Sequence, residues 1–67
     1  MIPDADIWHA AGLLIERHGV DNAALVAAQT GDEMLAKGDE EGYAIWKAIL
    51  DAILDLRREP KEGEKVN

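Results

Sequence analysis

The sequence predicts an all-α fold, a small three-helix bundle followed by a short disordered C-terminal tail. Apolar residues recur at steps of three and four along most of the chain, the spacing that stacks side chains on one face of a helix. Gly19 and Gly38 divide this pattern into three segments, and glycine is the residue that most often ends a helix. Acidic residues stand in the first turn of the first and third segments, where the helix dipole favours them.

The first helix is expected to span about residues 3–18. Pro3 suits a first helical turn, and Asp4 and Asp6 follow it there. Gly19 is expected to adopt a positive φ that ends the helix. Its inner face is predicted to consist of Ile7, Ala11, Leu14 and Ile15.

The second helix is expected over residues 22–37, with Asp21 or Asn22 as its cap. Its inner stripe is rich in small residues, so a neighbouring helix can approach closely and Trp8 or Trp46 is expected to supply the bulk. Gly31 is costly in a helix interior, which leaves two alternatives, one helix bent there or two short helices. The predicted stripe is Ala24, Ala27, Ala28, Gly31, Met34 and Leu35, with Leu25 alongside.

The third helix, expected over residues 40–58, carries the strongest pattern in the chain. Gly38 ends the preceding helix and Asp39 caps this one, so the two helices form a tight αα-hairpin. Pro60 is expected to prevent its continuation, and residues 59–67 are predicted to be a disordered tail outside a 1–58 domain. Its inner face is predicted to be Ile45, Trp46, Ile49, Ile53 and Leu56.

Length and composition limit the classes of function. A chain of 67 residues predicts one small domain, and the absence of cysteine excludes disulfides and thiolate zinc sites, so self-association is the remaining way to add stability. A net charge of −7 disfavours direct binding to nucleic acid or to an anionic membrane. No apolar run is long enough to cross a bilayer and the N-terminus lacks a basic region, so a cytoplasmic location is expected.

The residues that commonly carry chemistry do not form a recognisable site, so no enzyme, cofactor or metal centre is predicted. His9 and His18 lie nine residues apart on one helix, and Asp6 with His9 offers two ligands where a stable site needs three or four. Asp51 and Asp55 lie on the polar stripe of the third helix, where solvated charges are usual. Absence of serine and cysteine removes the common nucleophiles.

The third helix is apolar around more than one stripe. Tyr43, Leu50 and Leu54 lie beside its inner face and are predicted to form a patch that pairs with another chain, most simply in a symmetric dimer. The alternative is that Leu50 and Leu54 wrap around the edge of the core. The patch favours a non-enzymatic, self-associating protein–protein interaction or regulatory module. The alternative is an acidic decoy that occupies the basic nucleic-acid-binding surface of a partner.

Two motifs stand out in the sequence. One is the run from Ile7 to Ala11 followed by the run from Ile15 to Gly19, and the other runs from Gly38 through Gly42 to Trp46 and Ile49. Together they resemble the motifs of a family of short alphaproteobacterial proteins catalogued as a domain of unknown function. The resemblance covers roughly residues 6–56. It implies a bacterial cytoplasmic setting and no catalytic residues.

Overall fold

The computed structural model describes residues 4–65, with side chains described for residues 4–58, and consists there of three α-helices. They are α1 (Asp4–His18), α2 (Val20–Ala36) and α3 (Glu40–Lys65), and the described residues contain no strand. Helix α3 packs against both other helices and makes its more extensive contact with α2. The predicted all-α, three-helix fold is confirmed.

Gly19 alone separates α1 from α2. Its φ of 86° lies in the region that glycine adopts without a steric cost, as expected from the sequence. The Gly19 N–H donates to the Ile15 carbonyl at 2.8 Å, and the Gly19 carbonyl accepts from the Ala23 N–H at 2.8 Å. The backbone of one residue thus ends one helix and begins the next.

The predicted start of the second helix at residue 22, capped by Asp21 or Asn22, is wrong. Helix α2 begins at Val20, and no side-chain hydrogen bond caps it. The reason is that Gly19 occupies the N-cap position with its backbone, which moves Asp21 into the first turn. There the Asp21 carboxylate accepts a hydrogen bond from Arg57 of α3 at 3.1 Å.

The junction between α2 and α3 forms as the sequence predicts. Gly38 has a φ of 84°, and its N–H donates to the Leu35 carbonyl at 3.0 Å. The Asp39 N–H donates to the Met34 carbonyl at 2.9 Å, which completes a Schellman motif. The Asp39 carboxylate then accepts from the Gly42 N–H at 2.8 Å, so Asp39 caps α3.

Helix α2 continues without interruption through Gly31, so the alternative of two short helices is wrong. Gly31 is buried, and a Cβ added to it would meet the Trp46 Cβ at 3.5 Å and the Tyr43 Cδ1 at 3.7 Å. The close packing of α3 against this position offsets the low intrinsic helix propensity of glycine. Of the two tryptophans considered from the sequence, Trp46 is the one that packs here.

The third helix extends seven residues beyond its predicted end at Arg58, to Lys65. Proline fixes φ near the helical value, and at Pro60 the helix continues without the N–H that this residue lacks. The predicted tail begins after Arg58, and the backbone of α3 is described as far as Lys65. Residues 66 and 67 lie outside the described residues, as does Pro3 at the predicted start of the first helix.

The core is narrow and rich in alanine. Ile53 is the largest side chain that is fully buried, and it lies on α3 between the other two helices. Leu14, Ile15, Ile45, Trp46 and Leu56, all predicted inner residues, are half-buried around it. The buried apolar residues are Ile7, Ala11, Ala23, Ala27, Ile49, Ala52 and Ile53.

The inner face of α2 is rotated relative to the prediction. Its buried residues are Ala23, Ala27 and Gly31, while Leu25 and Leu35 are 54% and 51% exposed. The small residues pack where α2 approaches α3 most closely, which turns the two leucines outward. Two large apolar side chains are thereby left on the surface.

Replacing Ile53 with alanine is expected to lower the free energy of unfolding by about 3 kcal/mol, because it leaves a cavity in the middle of a thin core. Urea denaturation followed by circular dichroism measures the loss. Leu25→Ala removes a similar side chain from the surface and should change the stability by less than about 0.5 kcal/mol. Equal losses for the two variants would contradict this description of the core.

Candidate interaction surface

A groove runs between α2 and α3 on one side of the bundle, and we name it the α2–α3 groove. It encloses about 120 Å³. One wall, from α2, consists of Ala27, Ala28, Gly31 and Asp32, and the other, from α3, consists of Tyr43, Lys47 and Leu50. One wall is therefore made largely of small residues and the other of large ones.

The three predicted interaction residues lie on the groove side of α3. Tyr43 and Leu50 line the groove directly, and Leu54 follows Leu50 by one helical turn on the same face. All three side chains are half-buried, and Leu50 packs partly against the core. They thus lie on one surface, as predicted, but each is partly covered by its own chain. Their role in binding stays a prediction.

Two large exposed residues beside the groove were assigned to the core from the sequence. Leu25 lies seven residues before Asp32, and Leu35 lies seven residues after Ala28. Residues seven apart are within about 20° of each other around a helix, so both leucines lie on the groove side of α2. These leucines form the α2 rim of the groove. The sequence shows that each leucine is seven residues from a groove residue. It does not show which face of α2 packs against α3.

Opposite charges stand on the two walls of the groove. Asp32 belongs to α2 and Lys47 to α3. Lys47 also lies 4.0 Å from Asp51 on its own helix, and both side chains are largely solvated. A surface pair at this distance contributes little to stability, which leaves the ammonium group able to meet another carboxylate.

The other residues considered from the sequence do not converge on a chemical site. His9, His18 and Asp6 are exposed on α1, and the described residues contain no group of three His, Asp or Glu side chains that could hold a metal ion. Asp55 accepts a hydrogen bond from Arg58 at 3.2 Å, and Asp51 faces Lys47. Both carboxylates are exposed, as expected for residues on a polar stripe.

Comparison with protein-family models, with curated proteins and with solved structures gives no match to this chain. The resemblance to the alphaproteobacterial family therefore stays a prediction. Among the described residues, no helix combines the length and apolar character needed to cross a bilayer.

Replacing Gly31 with alanine is expected to raise the free energy of unfolding by about 0.5–1 kcal/mol, because alanine is the better helix former. The added Cβ would lie 3.5 Å from its nearest neighbour, which is ordinary van der Waals contact. Gly12→Ala is the matched control, since a Cβ there meets no atom within 4 Å and the site lies inside α1. Urea denaturation compares the two variants. A gain for Gly12→Ala together with a loss for Gly31→Ala would show that α2 and α3 tolerate no methyl group between them.

Proposed function

We propose that this protein is a non-enzymatic interaction module that associates with a second copy of itself through the α2–α3 groove. The observation that carries the proposal is the contrast between the walls, with small residues on α2 and Tyr43 and Leu50 on α3, beside the exposed Leu25 and Leu35. Leucines more than half exposed beside an apolar groove are a typical feature of protein–protein contacts.

The shape of the groove suits pairing with itself. A two-fold axis parallel to the groove brings α3 of each copy against α2 of the other, because the rotation exchanges the two walls. Tyr43 and Leu50 of one copy then face the half-buried Ala28 of the second copy, and the reverse contact is identical. The two-fold axis therefore creates two identical contacts between large side chains of one copy and small side chains of the other. Side chains of complementary size fill an interface without voids.

The charges of the groove suit the same arrangement. Asp32 and Lys47 line one cavity on opposite walls, so exchange of the walls sets Lys47 of each copy against Asp32 of the other. Two such pairs at the edge of an apolar contact favour this register over one that brings like charges together. The net charge of −7 on each copy opposes the encounter, and salt screens that repulsion.

The small core gives a physical reason for association. Among the residues whose side chains the structure describes, Ile53 is the one large side chain that is fully buried, and the chain has no cysteine with which to form a disulfide. Domains of this size commonly gain stability from a second subunit. Pairing through the groove would cover Leu25 and Leu35 and bury the remaining surface of Tyr43, Leu50 and Leu54.

The second candidate is an acidic decoy that occupies a basic nucleic-acid-binding surface of a partner. It is supported by a group of exposed carboxylates at the α2–α3 junction, Glu33, Asp39, Glu40 and Glu41. The two functions differ in their response to salt. Decoy binding weakens steeply as ionic strength rises, whereas self-association through an apolar groove persists or strengthens.

Light scattering over roughly a hundredfold range of protein concentration is expected to show a monomer–dimer equilibrium, which mass action makes concentration-dependent. Leu25→Glu should weaken the dimer by at least about tenfold, because it places a charge within an apolar contact. Leu13→Glu is the matched control, since Leu13 is 44% exposed but lies on α1, away from the groove. It should leave the dimer unchanged.

A monomer throughout the concentration range would overturn self-association. Equal weakening by Leu25→Glu and Leu13→Glu would show that added charge, rather than the groove, controls assembly. Circular dichroism of each variant checks that its helices are retained. Both substitutions replace exposed side chains, so the fold is expected to tolerate them.

A further inference from the structure

A second groove lies between α1 and α3, and we name it the α1–α3 groove. Its apolar lining consists of Ala48 and Ala52 of α3 with Ile7 and Trp8 of α1, and it encloses about 200 Å³. Ile7 and Ala52 are buried in the core, so the apolar surface that another molecule can contact belongs to Trp8 and the half-buried Ala48. The small side chain of Ala48 leaves room beside Trp8 for apolar side chains of another molecule.

The polar residues that line this groove are all acidic. Asp4 lies on the α1 wall, and Asp51 and Asp55 lie on the α3 wall. All three carboxylates are exposed, and Asp51 and Asp55 contact basic side chains of their own helix only at the surface. Such exposed pairs are weak, so these carboxylates can exchange their present neighbours for cations of a partner.

Trp8 supplies an independent reason to expect a cationic, apolar occupant. Its side chain lines the α1 wall and is 44% exposed, although tryptophan is usually buried for most of its surface. An indole ring beside carboxylates offers both apolar contact and a face for a Lys or Arg side chain. Tryptophan is also among the residues most enriched where protein contacts are strongest.

We propose that the α1–α3 groove binds a basic amphipathic helix of a partner protein. The apolar stripe of that helix would lie over Trp8 and Ala48. Asp51 and Asp55 are four residues apart, a rise of about 6 Å, which matches Lys or Arg side chains one turn apart on the partner helix. The net charge of −7 attracts such a segment from a distance and repels an acidic one.

This inference does not depend on the proposed self-association. Residues two apart on a helix point about 160° away from each other, so Ala48 and Ala52 lie nearly opposite Leu50 and Leu54 on α3. The two grooves therefore occupy different sides of the helix. One molecule can use both at once. Asp51 lies 4.0 Å from Lys47 of the α2–α3 groove, so Trp8→Ala is the variant that changes the α1–α3 groove without touching the other one.

The test is binding of a synthetic helical peptide of leucine and lysine, with leucine on one face, measured by fluorescence anisotropy of the labelled peptide against the full chain. We expect saturable binding, and no binding of the same peptide with every lysine replaced by glutamate. D51N/D55N should weaken binding by about tenfold, which corresponds to two ion pairs at the edge of a contact. Trp8→Ala should weaken it by a similar factor through lost apolar and cation–π contact.

The matched control is D6N/D21N, which removes the same number of charges from exposed positions outside the α1–α3 groove. It should change the affinity by less than about twofold if the groove, rather than net charge, holds the peptide. Equal weakening by the two double variants would overturn the proposal, as would equal binding of the acidic peptide. A change in the molar mass of the protein alone on D51N/D55N, with peptide affinity unchanged, would assign the groove to a second copy and overturn it as well.

Discussion

The close approach of α2 to α3 at Gly31 is the constraint on which the rest of the structure depends. At this position α3 packs closely, since a Cβ on Gly31 would meet Trp46 and Tyr43 at van der Waals distance, and the buried Ala23 and Ala27 lie on the same face of α2. A helix pair packed on such small residues buries little volume. The bulk of the core comes from the isoleucines of α1 and α3, and much apolar surface stays at the edges of the bundle.

The two short junctions maintain this approach. Gly19 is the one residue that links α1 to α2. The Schellman motif at Gly38 and the cap at Asp39 make the connection between α2 and α3 equally short. Because the hairpin is tight, each residue of α2 has a defined neighbour on α3. Near the open end of the hairpin, Asp21 accepts a hydrogen bond from Arg57. Nearer the turn, Gly31 packs against Trp46 and Tyr43. The register that forms the α2–α3 groove thus follows from the turn.

Helix α3 carries half-buried apolar residues on both sides of its inner stripe, while the large apolar side chains that are most exposed lie on α1 and α2. The inner stripe of α3, centred on Ile49 and Ile53, is buried in the core. Other apolar residues lie on both sides of that stripe. On one side Tyr43 and Leu50 stand beside small residues of α2, with charges of both signs. On the other side Ala48 and Ala52 lie beside Ile7 and Trp8, and the polar residues that line this groove are Asp4, Asp51 and Asp55. The two sides therefore differ in shape and charge.

The sequence by itself determined the number of helices, the Gly38–Asp39 junction and the inner face of α3, because periodicity, glycine and capping chemistry act locally. It placed Tyr43, Leu50 and Leu54 on one side of α3 for the same reason. Local sequence patterns predict the helices, their junctions and their apolar faces, but they do not predict how the helices pack.

Only the tertiary structure decided which face of α2 is buried and what lies opposite each residue of α3. A stripe of alanines and glycine is nearly equally apolar over a wide arc, so its periodicity does not select Ala23 over Leu25 or Leu35 as the inward residue. The selection comes from how closely two backbones can approach, which depends on both helices at once. That approach leaves Leu25 and Leu35 on the outer side of α2. In the same way, the packing of α1 against α3 brings together residues that are far apart in the sequence, Asp4 and Trp8 of α1 with Asp51 and Asp55 of α3.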